Sequence, residues 1–183
     1  MYLITQVLAD IKDLKIKHVI PSENIPKGTD IVVTTQAESK YINFDKVFIP
    51  KAFNRSYLYS NIYLIAHSKK RFQQINIGID PGKRTGFAAL ANNNLILKTG
   101  EYESALEVVK AVIEVYFNIE AEQFRIKIGN RGGSVGEEIR NRLNKIFSQK
   151  LIILTVPEKH TTKGKILKEF SKNINSAILI AQK

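Results

Sequence analysis

The sequence predicts an α/β protein in which a small α/β domain precedes a larger domain built on a mixed five-stranded sheet flanked by helices. Three apolar, strand-like runs follow one another directly after residue 74. Two further strand-like runs, RIKIG and LIILTVP, alternate with amphipathic helical segments. That alternation is typical of parallel pairing. The basic polar stretch HSKKRFQQ separates the two parts, so we expect domains at residues 1–73 and 74–183.

The first domain contains one clear helical pattern and several short strand patterns. YLITQVLADIKDLK has apolar residues at near-helical spacing, which predicts a helix. Three further runs predict short strands, namely KHVIP, TDIVVTT and KVFIP. SNIYLIAHS fits a helix or a strand equally well.

In the second domain, INIGID predicts a strand, and the asparagines at 92–94 predict a hairpin within TGFAALANNNLILKTGEY. An amphipathic helix is predicted in SALEVVKAVIEVYFNIEAEQF, where Leu106, Val109, Ile113 and Phe117 share a face. The remaining segments predict, in order, the strand RIKIG, a helix in NRGGSVGEEIRNRLNKIFSQ, the buried strand LIILTVP and one or two terminal helices in GKILKEFSKNINSAILIAQK. Ser134 and Glu137 have the spacing of a capping box at the start of the second helix.

Composition limits the classes of function. The chain has 183 residues, 44% of them hydrophobic, and no cysteine, which excludes disulfides and thiolate metal sites. The first eight residues lack the basic region of a secretory signal, and no apolar run has the length of a membrane span. We expect a soluble, cytoplasmic protein with no membrane partner.

Positive charge is concentrated toward the carboxyl terminus. The formal charge is +11; residues 125–183 contribute +9 and residues 75–124 contribute −3. Clustered basic residues favour a polyanion such as DNA or RNA as the partner. The alternative is a basic surface that only solubilises the protein.

Asp80 ends the apolar strand INIGID and is followed by Pro81 and Gly82. A carboxylate in apolar surroundings is costly unless it is paired or binds a metal, which makes Asp80 a candidate metal ligand. The same three residues also favour a simple turn. The residues alone leave both interpretations open.

Four stretches resemble one family in the same order along the chain. GIDPGKRTGFA resembles the first motif of the RuvC and YqgF branch of the ribonuclease H-like superfamily, which contains Holliday-junction resolvases and nucleases of ribosomal RNA precursors. IKIGNRGGSVGEEIRNRL, VPEKHTT and NSAILIAQ are similar to its later motifs. The resemblance spans about residues 75–183 and implies a ribonuclease H-like sheet.

The resemblance implies a site for Mg²⁺ or Mn²⁺, because two divalent ions can stabilise charge on both oxygens of a cleaved phosphodiester. Its metal ligands and catalytic residues would be Asp80, Glu158 and Asn175. The family has an acid on the terminal helix, and the matching residue here is Asn173, Asn175 or Ser176, depending on the register. Pairing Asn175-Ser176 with the family's Asp-Ser gives the best register. The other nearby acids, expected to be solvated helix residues, are Glu137, Glu138 and Glu169.

Residues that could bind nucleic acid lie in three basic or glycine-rich segments. The segment after Asp80 supplies Lys83, Arg84 and Thr85, and the glycine turn supplies Arg131 and Ser134. The last segment supplies Lys159, His160, Lys163, Lys165 and Lys168. Helix amino termini attract phosphate, although the glycines could equally serve only to form a tight turn.

Three functions fit these observations. The first is a metal-dependent nuclease acting on structured or branched DNA or RNA. The second is a ribonuclease H-like nucleic-acid-binding protein that has lost catalysis. The third is a phosphate-binding relative of the actin and sugar-kinase proteins, which share the strand-Asp-x-Gly opening. Many members of the resembled family pair through helices, so a homodimer is also an expectation.

Overall fold

The structure is a computed structural model, and it describes residues 2–9, 11, 14–21, 23–148, 151–157 and 167–183. The chain divides into two compact units, Met1–Lys70 and Arg71–Lys183. The division lies inside the basic stretch HSKKRFQQ. Every helix that the structure describes is too short or too polar to cross a lipid bilayer.

The first unit is a small α/β arrangement. Its described elements are helix α1 (Tyr2–Leu8), strand β1 (Val32–Val33), a short 3-10 helix (Ser39–Tyr41), strand β2 (Val47–Phe48) and helix α2 (Arg55–Ala66). The two strands pair in parallel. The stretch SNIYLIAHS, ambiguous in sequence, lies largely within α2.

Two expectations for the first unit were wrong, one about the length of a helix and one about the presence of a strand. Helix α1 ends at Leu8, well before the end of the predicted helical pattern. KHVIP forms no strand, and its residues 17–21 are described as irregular. Both segments are short, and the pattern of apolar residues alone does not supply the partners that a helix turn or a strand needs.

The second unit contains the remaining elements in the predicted order. They are β3 (Phe72–Asp80), β4 (Thr85–Ala91), β5 (Leu95–Tyr102), α3 (Ala105–Asn118), β6 (Ala121–Gly129), α4 (Gly133–Phe147), β7 (Ile152–Val156) and α5 (Lys172–Gln182).

Among the described residues, the second unit forms a mixed sheet of five strands in the order β5-β4-β3-β6-β7. β3 pairs antiparallel with β4, and β4 pairs antiparallel with β5. On the other side of β3, strands β6 and β7 run parallel to it. The expectation of an α/β domain with a mixed sheet flanked by helices is therefore confirmed. β3 is the central strand, and its carboxyl end lies at the same edge as those of β6 and β7.

Helices cover both faces of this sheet. Side chains alternate between the faces of a strand, so Gly78 and Asp80 point to one face and Ile79 points to the other. α5 packs on the Gly78 face. α4 packs on the opposite face, where Gly136 lies close to Ile128. Asp80 is therefore on the face that α5 covers.

Glycine allows α5 to lie directly against the two central strands. A Cβ atom on Gly78 would lie 2.0 Å from the carbonyl oxygen of Ala177, and one on Gly86 would lie 2.1 Å from that of Asn173. Both distances are far shorter than any van der Waals contact. Because Gly78 of β3 and Gly86 of β4 have no side chain, α5 can lie close to the sheet beside Asp80.

Lys127 holds the other end of α5. Its Nζ donates a hydrogen bond of 2.7 Å to the carbonyl oxygen of Ala181 in the last turn of the helix. The side chain is buried, and desolvation lowers the pKa of its amine, with a smaller contribution from Arg125. A cation near a helix carboxyl terminus is favourable, so this contact fixes α5 along the sheet.

The predicted capping box of α4 is wrong. The helix begins after Gly132, which makes no side-chain cap, instead of at Ser134. Gly132 lies against the ring of Pro81, where a Cβ would come within 2.2 Å of the proline Cβ. This contact with the β3–β4 turn sets the start of the helix earlier than the sequence pattern suggests.

Two apolar segments are less buried than their sequences predict. In α3, Phe117 of the predicted apolar face is 74% exposed. A different set of apolar residues, which includes Val108, Val112 and Val115, is buried. More than one stripe fits the helical period, because most positions of α3 are apolar. In β7, Ile152 is 50% exposed, because β7 is an edge strand of the described sheet.

We predict that Gly78→Ala lowers the free energy of unfolding by about 1–3 kcal/mol, since the new methyl group would overlap the backbone of α5. Gly82→Ala is the control, because its Cβ would lie 3.5 Å from the carbonyl oxygen of Arg84, an ordinary contact. It should change stability by less than about 0.5 kcal/mol. Urea denaturation measures both, and equal losses would contradict the tight seating of α5.

Candidate functional site

A surface cleft opens at the carboxyl end of β3. Its volume is about 580 Å³, and its lining residues are Asp80, Gly82, Lys83, Arg84, Glu103 and Asn173. Asp80 is half-buried at the tip of the central strand. The structure thus brings the first predicted ligand together with two of the predicted basic residues and with the first turn of α5.

The two basic residues of the cleft differ in their partners. Arg84 is exposed and forms a 3.2 Å ion pair with Glu103. Lys83 is exposed, and within the described part of the chain it forms no ion pair. Thr85, predicted to contact nucleic acid, is buried, and its hydroxyl donates to the carbonyl oxygen of Gly82 at 3.5 Å. Lys83 is therefore the side chain of this turn best placed to meet a phosphate.

Asn173, rather than Asn175, lines the cleft. Asn175 is only 6% exposed, and its Oδ1 accepts a 2.9 Å hydrogen bond from the amide of Leu167. Its Nδ2 donates to the carbonyl oxygens of Leu167, Phe170 and Ser171. The side chain fastens the 167–171 turn to the start of α5, which is a different role from the metal ligand that the preferred register implied.

Glu101 is a site residue that the sequence analysis missed. Asp80 pairs with Gly86 across β3 and β4, and Gly86 pairs with Glu101 across β4 and β5. All three residues therefore share a level and a face of the sheet. Glu101 accepts hydrogen bonds from Ser171 at 2.7 Å and from Asn173 at 2.8 Å. Counting the register outward from the Asn92 hairpin would have placed Gly100 opposite Gly86, because the pairing of β4 with β5 shifts by one residue between Ala89 and Leu90.

The predicted ligand Glu158 lies outside the described residues. So do four of the predicted basic residues, Lys159, His160, Lys163 and Lys165. Strand β7, which precedes Glu158, runs parallel to β3, and its last residue, Val156, pairs with Gly129 at the end of β6. The prediction that Glu158 lies near Asp80 required these two strands to be parallel, and they are.

The remaining predicted residues are on the surface. Lys168, Arg131 and Ser134 are exposed, as are the acids Glu137, Glu138 and Glu169. Glu138 pairs with Arg142 at 2.8 Å on α4. None of these six residues is among those that line the cleft.

The amino terminus of α4 lies beside the turn that follows Asp80, because Gly132 packs on Pro81. This end of α4 has no side-chain cap and no acidic residue in its first turn. Backbone N–H groups there carry partial positive charge that favours an anion. The helix start that could bind a phosphate therefore lies beside the Asp80 turn, although none of its residues is among those that line the cleft.

The chemistry of the cleft fits a hard divalent cation, although the charge is low. The carboxylate of Asp80 and the amide oxygen of Asn173 are the oxygen donors that Mg²⁺ and Mn²⁺ prefer. Within the described ranges, no three His, Cys, Asp or Glu side chains come together to hold a metal. Any cation here would depend on few carboxylates.

We predict that Asn175→Asp lowers the free energy of unfolding at pH 7 by about 3 kcal/mol, because it sets a carboxylate against carbonyl oxygens in place of a donor. Those oxygens would raise the folded-state pKa of the new carboxyl, so the loss should grow as pH rises and be smaller near pH 4. Asn141→Asp, on the exposed surface of α4, is the control. Urea denaturation at both pH values measures the difference; equal stability of the two variants would contradict the assigned role.

No protein-family model matches the chain, and no curated protein is similar to it at a significant level. The sequence motifs and the geometry of the cleft are therefore the observations that bear on function.

Proposed function

We propose that the second unit is a ribonuclease H-like domain that acts as a metal-dependent nuclease on structured DNA or RNA. The order and directions of its strands support the class. A three-stranded antiparallel meander, β3 to β5, is followed by helices that alternate with the parallel strands β6 and β7. This is the arrangement that the resemblance of the motifs implies.

One observation carries the proposal: Asp80 at the tip of the central strand shares a cleft with Asn173 from the last helix and with Lys83. An oxygen-donor pair suits a divalent cation, and a neighbouring lysine suits the phosphate that such a cation would contact. The two functions require adjacent groups of opposite charge, and this cleft contains both.

In this proposal each residue has a separate task. Asp80 and Asn173 hold Mg²⁺ or Mn²⁺ by their oxygen atoms, and Glu158 is the proposed further carboxylate. A bound divalent ion would stabilise charge on the attacking and leaving oxygens of a phosphodiester. Lys83 and the N–H groups at the start of α4 hold the nucleic-acid backbone in register with the cleft.

A second candidate function is nucleic-acid binding without hydrolysis. Depending on the register, Asn173, Asn175 or Ser176 of α5 stands where the resembled family has an acid, and none of these side chains brings a negative charge. Ligand charge tunes the affinity of a dication site. A cleft with too little negative charge would keep its basic groups and its affinity for phosphate while losing turnover.

We predict that the purified protein cleaves branched DNA or structured RNA in the presence of Mn²⁺, and that Asp80→Asn lowers the rate at least about 100-fold. Asp45→Asn, an exposed change in the first unit, should leave the rate unchanged. A gel assay of both substrate classes measures this. Cleavage that persists in the Asp80 variant would rule out the site, and binding without cleavage would favour the second candidate.

We predict that Lys83→Ala weakens nucleic-acid binding and reduces the slope of log affinity against log salt by about 1, because one phosphate contact is lost. Lys110→Ala removes an exposed lysine from α3 and should leave the slope unchanged. Fluorescence anisotropy at several salt concentrations measures both slopes. Identical slopes for the wild type and the Lys83 variant would show that phosphate does not contact this turn.

A further inference from the structure

The carboxylate of Glu101 lies behind Asn173 and is held at the start of α5. Within the described part of the chain, its two hydrogen-bond donors both belong to that helix start: the hydroxyl of Ser171, which caps α5, and the side-chain amide of Asn173. Gly86 separates Glu101 from Asp80 on this face of the sheet and contributes no side chain. Strand spacing puts the Cα atoms of the two acids about 10 Å apart.

This contact fixes which way the amide of Asn173 faces. An ionised carboxylate can only accept hydrogen bonds, so the NH₂ group of Asn173 must point to Glu101. The Oδ1 atom is then left for the cleft. Within the described part of the chain, Oδ1 of Asn173 makes no hydrogen bond.

Glu101 also changes the charge that a cation would meet. The charged side chains that line the cleft are Asp80, Glu103, Lys83 and Arg84, which sum to zero formal charge. Arg84 is paired with Glu103. The carboxylate of Glu101, one hydrogen bond behind Asn173, makes the group negative, as binding of a dication requires.

We propose that Glu101 is a positioning residue of this site: it turns the oxygen of Asn173 toward the cleft and supplies the negative charge that α5 lacks. The inference rests on the proposed metal-binding function. The resembled family has this carboxylate on its terminal helix, whereas here the carboxylate lies on β5 and acts through Asn173. Partners that orient a metal ligand in this way are commonly worth 10–100-fold in metal affinity.

The experiment measures Mn²⁺ affinity directly, by the electron paramagnetic resonance signal of the free ion during titration of the full chain. Glu101→Ala should weaken binding at least about tenfold, since the amide is no longer oriented and a charge is lost. Glu122→Ala, an exposed change near the start of β6, removes the same charge away from the cleft and from Asn173, so it should change the affinity by less than about threefold.

A charge swap separates positioning from mere stability. Glu101→Gln with Asn173→Asp keeps a hydrogen bond between the two positions, keeps the total charge, and moves the carboxylate onto α5. The double variant should bind Mn²⁺ within about threefold of the wild type or more tightly. Its hydrogen bond also keeps the test informative if Glu101→Ala lowers the melting temperature enough to unfold the chain.

The outcomes distinguish the inference from the function beneath it. Undiminished Mn²⁺ affinity in Asp80→Asn, or no binding by the wild type, would overturn the proposed site and the inference with it. Loss of binding in Asp80→Asn with undiminished affinity in folded Glu101→Ala would overturn only the role of Glu101. Equal losses in the Glu101 and Glu122 single variants, or no recovery in the double variant, would also overturn that role.

Discussion

The close seating of α5 on two glycines is the constraint on which the rest of the site depends. Gly78 and Gly86 leave no room for a side chain between the central strands and the helix. The backbone of Asn173 therefore lies directly over β4, one strand from Asp80. With larger residues at the glycine positions, the helix would stand farther from the sheet, and its first turn would no longer share a cleft with the strand tip.

The sequence predicted the parts of the site that depend on local patterns. The strand that ends at Asp80, the asparagine hairpin and the order of helices and strands all have short-range signals. No short-range signal distinguishes Asn173 from Asn175, because both residues lie on one short helix. Only the packing of the 167–171 turn assigns Asn175 to the interior. Glu101 needed the register of three strands, which depends on pairing between distant residues.

Two further differences between the predicted and the observed structure also arise from contacts between residues that are distant in sequence. An apolar strand cannot show from its own residues whether it will be central or at an edge, so the exposure of Ile152 in β7 was not predictable from LIILTVP. The start of α4 was set by a contact between Gly132 and Pro81, which are far apart in sequence. Tertiary contacts decided both, and the helix start bears on the site because it brings backbone N–H groups beside the Asp80 turn.

The central claim is that acidic oxygens gather at the tip of β3, and diffraction from crystals soaked in Mn²⁺ tests it most directly. We predict an anomalous scattering peak at coordination distance from the carboxylate of Asp80, with the oxygen of Asn173 facing it and the carboxylate of Glu158 nearby. A structure with no ion at Asp80, and with Glu158 on the far side of the molecule, would contradict it.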